Sequence, residues 1–176
     1  LKPKDILGIM TEKKVNFMIV VPAFLKLLKT SIESELQKAP QYVKWMFNLM
    51  YHIAKFIPSY KIKKIMFKSI HDKFGGHFQN CISGGAPMDL EVAKFFNRIG
   101  IKVMQGYGLS ETSPVVSVNH TNLLDLKSVG KPLHSFNVKI DKETGELLLS
   151  GPAVMKGYHN QPELTSEVID QDGWLH

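Results

Sequence analysis

The sequence predicts an α/β protein: a layered, mainly parallel sheet with flanking helices, followed by a small antiparallel β region. Two patterns predict it. Up to about residue 105, apolar runs of strand length alternate with stretches of helical periodicity, as in parallel strands joined by helices. From residue 115, short strand-like runs follow one another with only turns between them, which argues antiparallel pairing. Composition agrees. Of 176 residues, 44% are hydrophobic and 22% charged, ordinary for a folded domain and too apolar for a chain that stays disordered. The 13 Gly and 9 Pro are scattered, which excludes collagen-like and low-complexity classes. A lone cysteine, Cys81, excludes a disulfide scaffold and a cysteine-rich zinc module, and fits a reducing compartment.

The elements follow in order. Pro3 to Glu12 reads as a helix with Ile6, Leu7 and Met10 on one side. Val15 to Val21, apolar but for Asn16, has strand length and suits a strand buried on both faces. Pro22 stands where a helix starts, because its missing N–H is not needed there. That helix runs to about Gln37 with Phe24, Leu27, Leu28, Ile32 and Leu36 at helical spacing. Two more helices are expected, Tyr42 to Ile57 and Lys61 to Phe74, parted by Pro58-Ser59. The first is apolar around most of its girth, through Tyr42, Trp45, Met46, Leu49, Met50, Ile53 and Ile57. It is read as buried in a core, or covered by another part of the protein, in preference to a membrane-bound helix. In the second, Ile62, Ile65, Met66 and Ile70 form one stripe, with Lys61, Lys63, Lys64 and Lys68 off it.

Asn80 to Ser83 reads as a short strand. Asp89 is a good N-cap for a helix that ends at Gly100, with Glu91 early and Arg98 late as the helix dipole prefers. Ile101 to Gln105 is another strand. Val115 to Val118, Phe136 to Ile140 and Glu146 to Ser150 follow as strands, the last two joined by a tight turn, Asp141 to Gly145. A boundary is placed near residues 114 to 128, giving an α/β part over 1–114 with a helical insertion at about 38–75, and a β-rich part over 115–176. No internal repeat is visible.

Charge is uneven. The net is +6, and the segment Lys26 to Lys73 alone holds ten lysines against Glu33, Glu35 and Asp72. It reads either as solvated helix faces or as a patch that meets anionic lipid, nucleic acid or an acidic ligand. The longest apolar run, Phe17 to Leu25, has nine residues, against roughly 20 needed to cross a bilayer. The chain opens at Leu1 without a signal peptide and closes at Asp172-Gly173-Trp174-Leu175-His176 without a cap. It is expected to be a piece of something longer.

Ligands of open α/β sheets gather beyond the C-terminal ends of the strands, and two loops fall there. Ser83-Gly84-Gly85-Ala86-Pro87 pairs two glycines, which permit φ > 0 and close approach of backbone to a flat ligand. It reads equally as a plain strand-to-helix turn. Gln105 to Pro114 contains Gly106, Tyr107, Gly108, Ser110 and Glu111. A tyrosine between glycines has a ring free to stack on a planar base. Ser110 offers a hydroxyl, and Glu111 a carboxylate suited to Mg²⁺. The other reading is a loop capped by Ser110 or Thr112 with a solvated Glu111. The seven histidines, at 52, 71, 77, 120, 134, 159 and 176, show no metal spacing. Trp45 and Trp174 are read as packing groups, and Cys81 as a small buried apolar residue.

Ser83 to Pro87, Tyr107 to Glu111, Gly145-Glu146 through Gly151-Pro152 to Gly157-Tyr158, and Asp172-Gly173-Trp174 occur in this order. Together they resemble the AMP-forming adenylating enzymes: acyl-CoA synthetases, peptide-synthetase adenylation domains and luciferases. The helical pair before residue 80 resembles the long-chain fatty acyl-CoA ligases most. The resemblance implies that Gly84, Gly85 and Ala86 line an adenine, that the Gly106 carbonyl faces its amine, and that Tyr107 stacks on it. Ser110 stands where the family usually has threonine, and its hydroxyl would meet phosphate. Glu111 would hold Mg²⁺, so Ser110 and Glu111 are the candidate catalytic pair. Gly85 and Gly108 would border the acyl channel. The implied reaction joins a fatty acid to ATP as an acyl-adenylate and then transfers the acyl group to the thiol of coenzyme A.

The resemblance also implies parts this sequence does not contain. These are a Gly/Ser/Thr-rich phosphate loop ending in Lys-Gly upstream, a ribose-binding aspartate just after His176, and a C-terminal domain with a catalytic lysine. The chain is therefore expected to be the later part of a large N-terminal domain, inactive alone, and prone to self-association through uncovered edges. No nucleic-acid partner is expected. The expected location is cytoplasmic, with peripheral contact to anionic membrane as a further expectation. A short-chain, aryl or amino acid substrate is the alternative within the class, and a non-catalytic basic membrane-interaction module the alternative outside it.

Overall fold

A computed structural model describes residues 3–119 and 125–176; His120 lies outside the described residues. The chain divides into two compact units, residues 1–105 and 106–176.

The first unit holds α1 (Pro3–Glu12), β1 (Phe17–Val20), α2 (Pro22–Lys38), α3 (Gln41–Ile53), α4 (Tyr60–Met66), α5 (Lys68–Lys73), β2 (Asn80–Ser83), α6 (Leu90–Arg98) and most of β3 (Lys102–Tyr107). β1, β2 and β3 lie side by side and parallel, with Val20 opposite Ser83 and Ser83 opposite Gln105. The helix signals act as read. Pro22 opens α2, and the Asp89 carboxylate accepts from Glu91 N–H at 2.8 Å to cap α6. Gly100, at φ +92°, closes α6: Gly100 N–H donates to Asn97 C=O and Ile101 N–H to Phe96 C=O, so the orphan carbonyls of the last turn are satisfied. A Cβ at this glycine would stand 2.9 Å from the Lys64 backbone nitrogen. The core gathers Leu25, Leu28 and Ile32 of α2, Phe67, Ile70, Phe74 and Phe78, and Val92, Phe95 and Phe96 of α6 around Cys81 and Val103. Burial pushes the Cys81 thiol up to about 12, which fits its reading as an inert apolar residue.

Four expectations are corrected here. β1 is not buried on both faces: Met18 and Val20 turn to the core, but Ile19 is 77% exposed and Phe17 also lies open, because alternate side chains point to the opposite, uncovered face. The predicted helix over 61–74 is two helices that break at Phe67 (φ −105°, ψ 32°). The buried side runs instead through Lys63, Phe67, Ile70 and Phe74. Ile62 and Ile65 are exposed, while Lys63 is only 8% exposed. Lys63 reaches inward on its aliphatic stem, donates to Asn97 C=O at 3.2 Å and lies 5.1 Å from the Tyr60 ring centroid. Its burial, with Arg98 nearby, lowers its pKa. The helix over 42–57 ends at Ile53 and holds no buried residue. Trp45 is 67% exposed and is not a packing group.

In the second unit the last residues of β3, Gly106 and Tyr107, pair antiparallel with β4 (Ser117–Val118). β4 pairs antiparallel with β5 (Lys131–Pro132), completing a mixed sheet of order β1-β2-β3-β4-β5. β6 (Asn137–Ile140) and β7 (Leu147–Ser150) form a separate hairpin. Its turn is set by Asp141, whose carboxylate accepts from Glu143 N–H, Thr144 N–H and Thr144 Oγ1 at 2.8–3.0 Å, with Gly145 at φ +75°. A short helix, α7 (Pro162–Val168), follows. Val116, Phe136, Leu149 and Leu175 make this unit's own core, and two backbone hydrogen bonds tie Leu175 to Leu149. Trp174 is half-buried, with the Lys139 ammonium 5.5 Å from its ring.

Candidate active site

The two loops singled out in the sequence follow adjacent parallel strands, since Ser83 and Gln105 face each other at the C-terminal ends of their paired segments. In the first unit, Gly84 N–H donates to Val20 C=O at 3.2 Å, and the chain then turns outward. Gly85 sits at φ +80°, and a Cβ added there would meet no atom within 4 Å. Its backbone is therefore bare, with room for a flat ligand against it. Gly85 and Ala86 are exposed, while Ser83 is buried behind them with its hydroxyl 3.7 Å from the Met88 sulfur.

In the second unit, the loop after Tyr107 folds back on itself. A Cβ on Gly108 would fall 1.7 Å from Pro114 O and 2.9 Å from Val115 Cα, so only glycine lets the chain pass its own return. Residues Ser110–Thr112 make one tight 3₁₀ turn. Thr112, fully buried, fixes it: its Oγ1 accepts from Leu109 N–H at 2.9 Å and donates to Leu109 C=O at 2.8 Å. Thr112 thus takes the capping role that the sequence left open between it and Ser110, and Ser110 stays exposed. Tyr107 is half-buried and packs against the second core. Its ring is not bare on both flanks as the glycine neighbours suggested.

Glu111 is held at both ends. Its carbonyl accepts from Met155 N–H at 2.7 Å, and its carboxylate Oε1 accepts from the Tyr158 hydroxyl at 2.8 Å. Its own backbone N–H and the Tyr158 hydroxyl hold the carboxyl below the usual carboxylate range, and the same bond raises the Tyr158 pKa. Tyr158 is aimed by its surroundings. Gly157 adopts φ +146° against Thr165, and Tyr158 N–H donates to Thr165 Oγ1 at 2.9 Å. The result is an ionised carboxylate held by the Tyr158 hydroxyl and by its own backbone N–H. Such a hard oxygen donor fits Mg²⁺, which takes one or two protein carboxylates and keeps several waters. Among the described residues no three His, Cys, Asp or Glu side chains gather as a metal cage.

Residues 1–159 match the family described as AMP-binding enzyme. The chain belongs to this family. A chloroplastic long-chain-fatty-acid–acyl-carrier-protein ligase of Arabidopsis thaliana is 36% identical over 154 residues, covering 80% of this chain and 21% of that protein. Long-chain-fatty-acid–CoA ligase 2 of Schizosaccharomyces pombe is 30% identical over 189 residues, covering 96% of this chain and 27% of that protein. The chain therefore spans about a quarter or less of the length of these curated relatives. The solved N-terminal domain of FACL13 from Mycobacterium tuberculosis superposes with a TM-score of 0.67 at 21% identity, covering all of this chain and 38% of that one. At that identity the likeness shows the fold of an AMP-binding enzyme N-terminal domain.

Within the family frame, the structure places Ser110 and Glu111 on one turn and adds a residue to which the sequence reading gave no role. Tyr158 belongs to the Gly157-Tyr158 motif, and its hydroxyl is the partner of Glu111. An amphipathic tyrosine following a glycine in a loop-rich stretch was the available signal, and a partner 47 residues away cannot be named from one sequence.

Proposed function

We propose that the protein containing this chain joins a fatty acid to the α-phosphate of ATP as an acyl-adenylate, releasing pyrophosphate, and passes the acyl group to a thiol, releasing AMP. The observation that carries the reading is Glu111, an ionised carboxylate fixed by Tyr158 and Met155 on the same turn as an exposed serine hydroxyl. In this reading Glu111 holds Mg²⁺, which when bound supplies positive charge to the ATP phosphates. Ser110 donates its hydroxyl to a phosphate oxygen. Tyr107 stacks on adenine with the part of its ring that the core leaves open, and Gly84, Gly85 and Ala86 border the base. Tyr158 takes no proton; it keeps the carboxylate ionised and aimed. Little covalent work falls to the protein, and rate comes from alignment and charge.

The fatty acid is supported by relatives whose names carry long-chain fatty acids. The acceptor has two readings, coenzyme A and an acyl carrier protein, because each is named by one of those relatives. By itself the 176-residue chain contains no Gly/Ser/Thr-rich loop ending in Lys-Gly and is expected to be inactive. The test is calorimetric. The complete protein is titrated with non-hydrolysable acyl-adenylate mimics of hexadecanoate, acetate and benzoate. Tight binding of the hexadecanoyl mimic, weakened by Tyr107→Ala, is expected. Preference for the acetyl or benzoyl mimic overturns the fatty acid, and failure of all three overturns the adenylating site.

A further inference from the structure

Helix α3 is apolar on two sides, and the core uses only one of them. Phe47, Met50, Tyr51 and Ala54 pack against or lie within the first unit's core. On the other side Tyr42, Trp45, Met46, Leu49 and Ile53 recur at i, i+3, i+4, i+7 and i+11, and all five are exposed. Phe56, just beyond the helix, is 80% exposed and continues the same spacing. This is a contiguous exposed stripe, not the scattered apolar residues normal on any surface.

The charge around the stripe selects its occupant. Between Glu35 and Asp72 there is no acidic residue, and there are seven lysines: 38, 44, 55, 61, 63, 64 and 68. Lys63 is buried, which leaves six at or near the surface. A contact with a second copy through this face would set lysines against lysines. An aqueous acidic protein would satisfy the lysines but not a tryptophan, a tyrosine and three aliphatic side chains in a row. An anionic bilayer satisfies both. Apolar side chains enter the headgroup–acyl boundary, Trp and Tyr sit at the level of the headgroups with their polar ends wet, and lysines meet anionic lipid. No helix among the described residues is long and apolar enough to cross a membrane, so the contact is with one leaflet. We propose that α3 lies flat on an anionic membrane surface, stripe inward, with Lys55, beside the exposed Phe56 ring, and the exposed Lys61 on the headgroups. This proposal is independent of the adenylating reading.

The test uses the complete protein and vesicles of phosphatidylcholine alone or with 30 mol% (about one lipid in three) phosphatidylglycerol. Three variants are compared by co-sedimentation at low and high salt: Lys55→Glu/Lys61→Glu, Trp45→Ser/Leu49→Ser, and Lys131→Glu/Lys142→Glu as a matched charge change elsewhere. Binding is expected only with the anionic lipid, to weaken with salt, to fall roughly tenfold or more in the first two variants, and to persist in the third. Should Trp45→Ser/Leu49→Ser fail to fold, the lysine pair and a fluorophore attached in the Trp45→Cys variant carry the test. The dye is expected to react in solution and to shift to shorter-wavelength emission on anionic vesicles. Equal binding to both vesicle types, unchanged binding in the lysine variant, or a position 45 that is unreactive because another part of the protein covers it would each overturn the proposal.

Discussion

Gly108→Ala separates two roles that the sequence could not. The resemblance placed Gly108 beside an acyl channel, where an added methyl would block long substrates. The structure gives a different reason for the glycine. A Cβ would stand 1.7 Å from Pro114 O, where ordinary contact begins at 3.4 Å. The neighbours are backbone, so no side chain can swing away, and one arm of the loop must retreat by about 1.7 Å. Such overpacking costs about 1–3 kcal/mol. A misplacement near 1 Å at a reacting site costs on the order of 100-fold in rate. Gly108→Ala in the complete protein is therefore expected to lower acid-dependent pyrophosphate release by about two orders of magnitude, and equally for hexadecanoate and shorter acids. Gly85→Ala is the counterpart. It meets open space at φ +80°, so within the chain itself it carries only the conformational cost of about 1–2 kcal/mol, and any larger loss is expected in nucleotide binding. Gly108→Ala turnover within threefold of the unmodified protein (about 0.6 kcal/mol), or a loss confined to long acids, would refute the steric reasoning.

Two further outcomes follow from the same loop. Thr112→Val keeps the shape but leaves the Leu109 N–H without its partner, while the Leu109 C=O still accepts from the residue 112 backbone N–H; a loss of about 1–2 kcal/mol, seen as a fall of a few degrees in Tm, is expected by calorimetry. Tyr158→Phe removes a donor from the Glu111 carboxylate, so the carboxyl pKa rises. The acid limb of the pH–rate profile should move to higher pH while the alkaline limb stays in place; an unmoved acid limb would remove Tyr158 from its positioning role.

The parallel strands and their helices were legible because their signals are local. Pro22, Asp89 and Gly100 each act within a turn of where they stand, and the hairpin turn is closed by Asp141 on residues two and three positions away. Burial was less legible because it depends on what lies alongside. The residues of β1 look alike in sequence, yet Val20 is covered and Ile19 is not. Hydropathy misplaced the buried side of α4, because the helical spacing Lys63, Phe67, Ile70 and Phe74 starts at a lysine. A lysine there is tolerable only because Asn97 offers a carbonyl and Tyr60 a ring face. In the candidate site, residue types were readable and pairings were not. Serine, glutamate and tyrosine announced their chemistry, but the link from Glu111 to Tyr158 needed the folded chain.

The central claim is that Glu111 serves a fatty-acid-adenylating site. Isotope exchange between pyrophosphate and ATP, run on the complete protein with hexadecanoate and Mg²⁺, tests it most directly, alongside Glu111→Gln. Exchange that requires hexadecanoate and is lost in Glu111→Gln, with binding of the acyl-adenylate mimic retained, is the result expected here. Exchange that proceeds without a fatty acid, or that survives Glu111→Gln undiminished, would contradict it.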